Sequence, residues 1–554
     1  MHRYKSGFPP VYNSLHLIHW DALLLSEFFF ILNTTKIRHL QMDNTKSNVI
    51  SLPADLHGLH IHFVGIKGTG MAALVEILFH NGAIITGSDV SERFYTDEII
   101  EKLGLKALPF SSRNITDDID YVIYSSAYKL DKNPDLIEAV KRGIPCLLYT
   151  QALGSYSSRS YSCGVCGVHG KTSTTGLLGT ILKEIDLPSQ VLAGSIINSF
   201  GNTCTFTSDL VKNGEGNGQN IFVAETCEYQ RHFMSFCPQK IILTSVESDH
   251  EDYYPTYNDI RDAFVDYVCK LPAGGDLIYC CDDKGATEVA GLALQKRPDI
   301  NLIPYGTNAD GDYRLTFGKV ENEKNKFTVG LFEKEFYLKM PGRHEVMDAT
   351  AAVALVCQLL KQYKKNPHDY QDKIAHGLEK FSGGKRRSEI VGQFSNKNGK
   401  SVMVIDDYGH HPTAVKTTLE GFRDFYKGRK IIVDFMSHTY SRTQALLKEF
   451  AASFDSADAV ILHKIYSSAR ENPADFEITG KTLYDQVKNH LENQRSVNLK
   501  AENVFYFEEI LDAKDLAQNL LESPLEEKYP DGYLFVTMGA GDNWKLGKAI
   551  LENK

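Results

Sequence analysis

The chain has 554 residues, 42% hydrophobic and 23% charged, the proportions of a globular protein of about three or four domains. A net charge of −10 leaves no basic excess to neutralise phosphates, which excludes general nucleic-acid binding. Ten cysteines without a disulfide framework suit a reducing cytoplasm, and no membrane partner is indicated.

Residues 1–41 carry the apolar runs Leu23 to Leu25 and Phe28 to Leu32, broken by Ser26 and Glu27. They are too short and too interrupted for a membrane span and lack a signal-peptide layout. Met42 opens a polar stretch that leads to the first strand, so the native chain is expected to start there, with residues 1–41 an extra segment, non-native or disordered.

The first phosphate-type loop is Gly65-Ile66-Lys67-Gly68-Thr69-Gly70. The strand-like run Ile61 to Val64 leads in, Met71 to Leu78 reads as a helix, and a second strand, Ala83 to Thr86, ends at Gly87-Ser88-Asp89. This is a βαβ unit with an acid where a Rossmann domain grips a ribose. The glycine order is G-x-x-G-x-G, not the G-x-G-x-x-G of dinucleotide enzymes, so the loop suits a nucleotide diphosphate without saying which. A purely structural tight turn fits the loop nearly as well. Further strands are expected at Tyr121 to Tyr124 and Pro145 to Leu148, then a polar linker from Gly154 to Ser160.

The second loop is Gly167-Val168-His169-Gly170-Lys171-Thr172-Ser173-Thr174-Thr175. Apolar Gly164 to Cys166 precedes it, and Leu177, Leu178, Ile181 and Leu182 follow at helical spacing. Strand, glycine turn and helix N-terminus point backbone N–H groups at a phosphate. Lys171 then reaches the outer phosphates and the Thr172 hydroxyl holds Mg²⁺, although Val165 stands where a full Walker A motif has glycine. Cys163 and Cys166 have C-x-x-C spacing, but no second pair completes a zinc site, and both lie on the strand entering the loop; they read as buried structural thiols.

Beyond the loop, strands are expected at Ile221 to Ala224 and Ile241 to Thr244, with a flexible tip over Asn213 to Gly218. Glu225 and Asp249-His250 follow strand ends, where ligands bind in open α/β sheets. Glu225 and His250 are therefore candidate Mg²⁺ ligands with Thr172, although Mg²⁺ prefers oxygen. A third α/β unit is expected after Phe381 to Lys385, with strands at Val402 to Ile405, Ile431 to Val433, Ala459 to Leu462 and Leu534 to Val536. Asp406-Asp407-Tyr408-Gly409-His410-His411-Pro412 closes its first strand and His438-Thr439-Tyr440-Ser441-Arg442-Thr443 follows its second. Clustered His, Tyr and Arg suit a carboxylate ligand, with Arg442 placed for a bidentate contact. Each cluster also fits a helix N-cap, Asp406 or Asp407 ahead of Pro412 and Ser441 ahead of the next helix.

With both loops, Glu225, Asp249-His250, Pro341-Gly342-Arg343-His344, Arg386-Arg387, Asp406 to Pro412, His438 to Arg442 and Met538 to Asp542 in this order, residues 57–554 resemble the Mur ligase family. The resemblance implies an α/β fold in three domains: a Rossmann-like UDP-sugar-binding domain (42–155), a P-loop-type ATP-binding domain (156–384) and a Rossmann-like amino-acid-binding domain (385–554). It implies ATP-dependent ligation of L-alanine to the lactyl carboxylate of UDP-N-acetylmuramate through an acyl phosphate, in peptidoglycan precursor synthesis, by a monomer or homodimer.

Residue by residue, the resemblance places Gly65, Gly68, Thr69, Gly70, Met71, Ser88 and Asp89 on the UDP-sugar, and Gly167, His169, Gly170, Lys171, Thr172, Ser173, His344 and Arg386 on ATP. It makes Lys171, Thr172, Glu225 and His250 the catalytic set, gives Mg²⁺ to Thr172, Glu225 and His250, and gives the amino acid to Tyr408, His410, His438 and Arg442. The chain departs from the family in three places: Cys227 to Gln230 stand where many members have Asp-Glu-Ser-Asp, Glu345 and Asp348 replace two asparagines, and Thr439 replaces an arginine. A tripeptide-attaching relative, a nicotinamide oxidoreductase and a non-catalytic nucleotide-binding protein are the rival readings.

Overall fold

The computed structural model describes residues 50–215, 220–467, 471–494 and 498–552. The N-terminal segment 1–41 lies outside them, as does most of the expected tip after Asn213.

The first domain is built on a four-stranded parallel sheet in the order β2-β1-β3-β4. Its strands are β1 (His60–Val64), β2 (Ile84–Ser88), β3 (Tyr121–Tyr124) and β4 (Cys146–Leu148). The helix Thr69–His80 connects β1 to β2 and buries an unbroken run from Met71 to Leu78, as a crossover helix packed on a parallel sheet must.

The expected linker is mostly helix. Tyr149–Ser157 is helical, spans the expected boundary at residue 155, and buries Ala152, Leu153, Gly154 and Tyr156. Serines and a glycine suggest a loop, but Gly154 is there for contact: a Cβ on it would lie 2.1 Å from the Ser235 carbonyl oxygen. Close packing overrides a propensity deficit of about 1 kcal/mol.

The second sheet has seven strands in the order β11-β10-β9-β5-β8-β6-β7. These are β5 (Tyr161–Cys166), β6 (Ser189–Ile197), β7 (Thr203–Thr207), β8 (Ile221–Glu225), β9 (Lys240–Leu243), β10 (Asp276–Cys280) and β11 (Asn301–Tyr305). All neighbours are parallel except β6 and β7. β5 lies between β8 and β9, so the loop leaving it sits at the point where the connections part to opposite sides, the ligand-binding position of open α/β sheets. Cys163 and Cys166 are fully buried on β5 and unpaired. A three-stranded antiparallel sheet, β12 (Leu315–Glu321), β13 (Lys324–Val329) and β14 (Glu335–Leu338), follows before the helix Arg343–Gln362.

The third domain holds a six-stranded sheet in the order β15-β16-β20-β17-β18-β19. Four of its strands were expected: β16 (Ser401–Asp407), β17 (Arg429–Phe435), β18 (Ala459–Leu462) and β20 (Gly532–Met538). The two edges, β15 (Glu389–Ser395) and β19 (Val504–Tyr506), are additional, and β15 alone runs antiparallel. The helix Pro412–Phe425 joins β16 to β17 and brings Gly421 against Gly342 of the second domain; a Cβ on Gly421 would lie 2.6 Å from the Gly342 Cα. Among the described residues no helix is long and apolar enough to cross a membrane.

Candidate active site

The second glycine loop leaves β5 and enters the helix Lys171–Glu184, with Gly167 at φ +136° and Gly170 at φ +79°. Gly170 needs more than its positive φ, because a Cβ there would lie 2.4 Å from the Asp348 carboxylate. Lys171 folds back over the loop, donating to the Gly167 carbonyl at 2.5 Å and to Glu228 at 2.9 Å. Burial works against its charge, but the adjacent Glu228 carboxylate overrides burial and holds the ammonium above its ordinary pKa.

Of the three expected Mg²⁺ ligands, Thr172 and Glu225 meet directly, whereas His250 is joined to Glu228. The Thr172 hydroxyl donates to Glu225 at 2.9 Å, and the Gly194 N–H donates to the same carboxylate at 2.7 Å. His250 sits at φ +57° with Nε2 3.3 Å from Glu228. Glu228, the one residue of Cys227 to Gln230 that keeps its counterpart in Asp-Glu-Ser-Asp, is thus a further site residue: only 2% exposed, it joins Lys171 to His250. Burial raises its pKa, but the Lys171 ammonium and the hydrogen bond with His250 outweigh burial and leave a carboxylate below the usual range. Its position in the chain gave no sign of this role; only the meeting of the loops after β5, β8 and β9 shows it.

The first glycine loop closes on Asp89, the acid expected at the ribose. Asp89 is buried, with Oδ2 accepting from the Lys67 N–H at 2.7 Å and Oδ1 from the Val90 N–H and the Tyr128 hydroxyl at 2.8 and 3.1 Å. These contacts tie both of its oxygens to the loop and its surroundings. Ser88 is fully buried beside it, and the Ser88 carbonyl accepts from the Gly65 N–H at 2.8 Å. Thr69 hydrogen-bonds the Tyr95 hydroxyl at 2.5 Å, and Met71 is buried in the following helix. A cavity of about 180 Å³ runs from Gly70 and Tyr149 to Glu225 and Cys227, joining the first loop to the Thr172–Glu225 corner.

On the third domain, neither expected N-cap forms. His411 caps the helix Pro412–Phe425, while Asp407 accepts from the Gly409 and Ser388 N–H groups and Asp406 from Arg386. Tyr440 and Ser441 both donate their N–H groups to Glu471 at 2.8 and 3.1 Å, so a carboxylate thirty residues onward takes the capping role given to Ser441.

Tyr408, His410 and His438 form an aromatic cluster, with ring centroids 4.9 Å apart for the first pair and 5.9 Å for the second. Burial, with Arg442 nearby, holds the His410 imidazole well below its ordinary pKa, and its Nδ1 pairs with the Tyr408 carbonyl. Arg442 directs Nη2 and Nε onto Asp249 Oδ1 at 2.5 and 3.2 Å.

His344 lies in the first turn of the helix Arg343–Gln362, at a cleft of about 830 Å³ between the second and third domains. Burial lowers its pKa to about 4. Beside it, Glu345 accepts from the Ser173 hydroxyl at 2.9 Å, and burial raises its pKa to about 7. Arg386 stays within the third domain, on Asp406 at 2.8 Å and the Gly539 carbonyl at 2.7 Å, so the structure does not bring it to the phosphate loop by a direct bond.

Three α/β domains around a strand–glycine-loop–helix phosphate site define a nucleotide-dependent enzyme. Three family models match in chain order: "Mur ligase family, catalytic domain" over residues 60–161, "Mur ligase middle domain" over 165–356, and "Mur ligase, glutamate ligase domain" over 386–541. The chain belongs to the Mur ligase family. It is similar to the UDP-N-acetylmuramate–L-alanine ligase of Treponema pallidum, 45% identical over 504 residues, covering 91% of this chain and 98% of that one. The protein of the same name from Desulfitobacterium hafniense is 35% identical over 89% of this chain and 99% of its own. Among solved structures, the UDP-N-acetylmuramate–alanine ligase of Thermotoga maritima shares the fold at TM-score 0.65 and 22% identity, covering 89% and 99% of the two chains. A murein peptide ligase from Psychrobacter arcticus does so at TM-score 0.57 and 20% identity, covering 89% and 98%.

Proposed function

We infer that this chain joins L-alanine to the lactyl carboxylate of UDP-N-acetylmuramate with ATP, giving ADP and phosphate, in peptidoglycan precursor synthesis. The observation that carries the reading is 45% identity along nearly the whole length of a relative of that name. The contacts of Lys171 and His250 with Glu228, and of Thr172 with Glu225, support it.

The chemistry is phosphoryl transfer followed by acyl transfer. The lactyl carboxylate attacks the γ-phosphorus of ATP, ADP leaves, and an acyl phosphate forms. The alanine amine then adds to the acyl carbon, and the tetrahedral adduct expels phosphate and leaves the amide. Positioning and charge neutralisation supply most of the acceleration. Lys171 leaves Glu228 for the transferring phosphoryl oxygens. Loop N–H groups at Gly170 to Ser173 bind the inner phosphates, with His169 alongside. Gly68 and Gly70 admit the UDP pyrophosphate close to backbone, and His344 faces the adenine nucleotide.

Thr172 and Glu225 fit a hard cation: two oxygen donors sit in a cradle open only because residue 194 is glycine, where a Cβ would lie 2.6 Å from the Glu225 carboxylate. These residues would hold one Mg²⁺, and His250 with Glu228 beside it would serve a second. When bound, Mg²⁺ neutralises the outer phosphates. Tyr408, His410 and His438 surround the amino acid, and Arg442 takes its carboxylate by exchanging Asp249 for it.

The test is phosphate release with ATP, Mg²⁺ and UDP-N-acetylmuramate, adding L-alanine, L-serine, glycine or the cell-wall tripeptide in turn. Release with L-alanine and little with the tripeptide is the expected result. Release with the tripeptide alone would move the chain to the peptide-attaching branch of the family.

A further inference from the structure

His169, Glu247 and His411 arrive from three separate segments. His169 belongs to the phosphate loop, Glu247 follows β9, and His411 caps the helix Pro412–Phe425 of the third domain. One nitrogen or oxygen from each lies within 4.8 Å of the others. We propose that these three side chains bind one borderline divalent transition ion, zinc fitting best, which ties the phosphate loop to the third domain.

The geometry needs little change. Tetrahedral bonds of about 2.0–2.1 Å put neighbouring donors roughly 3.4 Å apart. Glu247 Oε1 is hydrogen-bonded to His169 Nε2 and lies 3.6 Å from His411 Nδ1. The first contact must open, and the widest separation, at most 4.8 Å, must close, to reach about 3.4 Å; each is a side-chain adjustment of about 1 Å. Glu247 is already oriented, because its other oxygen accepts from the Thr413 hydroxyl at 3.0 Å. Such an outer partner fixes a metal-binding carboxylate in place.

The His411 ring is suited to ligation. It is 4% exposed, and Nδ1 accepts from the Thr413 N–H only across 3.3 Å. That nitrogen therefore presents a lone pair near a carboxylate oxygen, two acceptors with no proton between them. Nε2 has no hydrogen-bond partner among the described residues, so the ring can turn over and present either nitrogen while giving up only the long Thr413 contact. Burial keeps the imidazole neutral near pH 7, with its pKa lowered to about 4. A neutral ring is what a metal requires.

The donor set selects the ion. Two imidazoles and one carboxylate suit zinc, cobalt or nickel and suit Mg²⁺ poorly. The site therefore stays distinct from the Thr172–Glu225 corner even in excess Mg²⁺. The side chains of His169 and Glu247 are 29% and 31% exposed, which gives the ion a way in.

The experiment titrates the full-length protein with Zn²⁺ by calorimetry in excess Mg²⁺, and follows Co²⁺ by visible absorption. The expected result is one ion per chain, a tetrahedral Co²⁺ spectrum without a thiolate charge-transfer band, and binding at least about tenfold weaker in His411→Gln and in Glu247→Gln. Because Glu247 is partly exposed, its variant carries the test if His411→Gln does not fold. Absence of binding, or unchanged affinity in Glu247→Gln, overturns the proposal. A thiolate band does so too, because it assigns the ion to cysteines such as the exposed Cys227 and Cys237.

Discussion

Arg442 of the third domain holds Asp249 of the second, two guanidinium nitrogens converging on one carboxylate oxygen at 2.5 and 3.2 Å. Both side chains are nearly out of solvent, 5% and 7% exposed. Burial alone would raise the pKa of Asp249; Arg442 more than reverses this and holds it far below the usual carboxylate range. Removing one partner leaves an uncompensated buried charge, a loss of about 3–5 kcal/mol. Arg442→Met is therefore expected to lower the unfolding temperature more than the double change Arg442→Met with Asp249→Asn. Phosphate-release kinetics on Arg442→Lys should show the L-alanine KM rising at least about tenfold, with the ATP and UDP-sugar KM values little changed.

Glu228 sets a second prediction, because it separates holding the lysine from using it. Lys171→Ala is expected to reduce kcat by at least about a thousandfold while UDP-sugar binding, measured by calorimetry, stays largely intact. Glu228→Gln keeps Lys171 but frees it from its anchor and weakens the tie to His250. A smaller loss in kcat, about a hundredfold, is expected there. Full turnover in Lys171→Ala would remove that residue from the mechanism.

Burial raises the pKa of Glu76 from 4.5 to about 7, against a hydrogen bond from the Thr205 hydroxyl at 3.3 Å. In the folded chain this acid keeps its proton at pH values where the unfolded chain has lost it. Its contribution is therefore complete below pH 4.5 and is lost as pH rises through about 7. Glu76→Gln should be more stable than the parent at pH 8, by up to about 3 kcal/mol, and equal to it near pH 4. His411 works in the opposite sense: its neutral ring favours the fold above pH 6.5, and that support is lost as pH falls towards 4. Thermal unfolding of parent and variant across this range measures the difference directly.

The helix Tyr149–Ser157 supplies a packing test. Gly154→Ala improves helix propensity, so an exposed helix would gain about 1 kcal/mol. Here the added methyl group meets the Ser235 carbonyl, and a net loss of about 1–3 kcal/mol is expected. A rise in melting temperature would show that this helix does not pack on the segment around Ser235.

Much of this architecture is readable from local pattern. Glycines between an apolar strand and an apolar-faced helix identify both loops, and Glu225 and His250 stand out by their places, at the end of β8 and after β9. Edge strands carry weaker signals, since β15 is exposed or half-buried along its length. In β13, Phe327 and Val329 alternate with Lys326 and Thr328, a pattern that marks a strand but not the sheet it joins. Residues whose role depends on distant partners left no mark in the chain. Glu228 acquires its role from Lys171, and Glu471 caps a helix thirty residues earlier. The serine-rich stretch before β5 misled because its glycine answers to a tertiary contact.

Gly342 and Gly421 meet where the second and third domains touch, backbone against backbone. A junction without side chains has no rotamers to rearrange and no interdigitated ridges to disengage. Such a contact grips little by itself, and strength across the junction is supplied elsewhere by charge pairs such as Asp249 with Arg442. A methyl group at Gly421 would press on the Gly342 backbone and act as a wedge between the two domains.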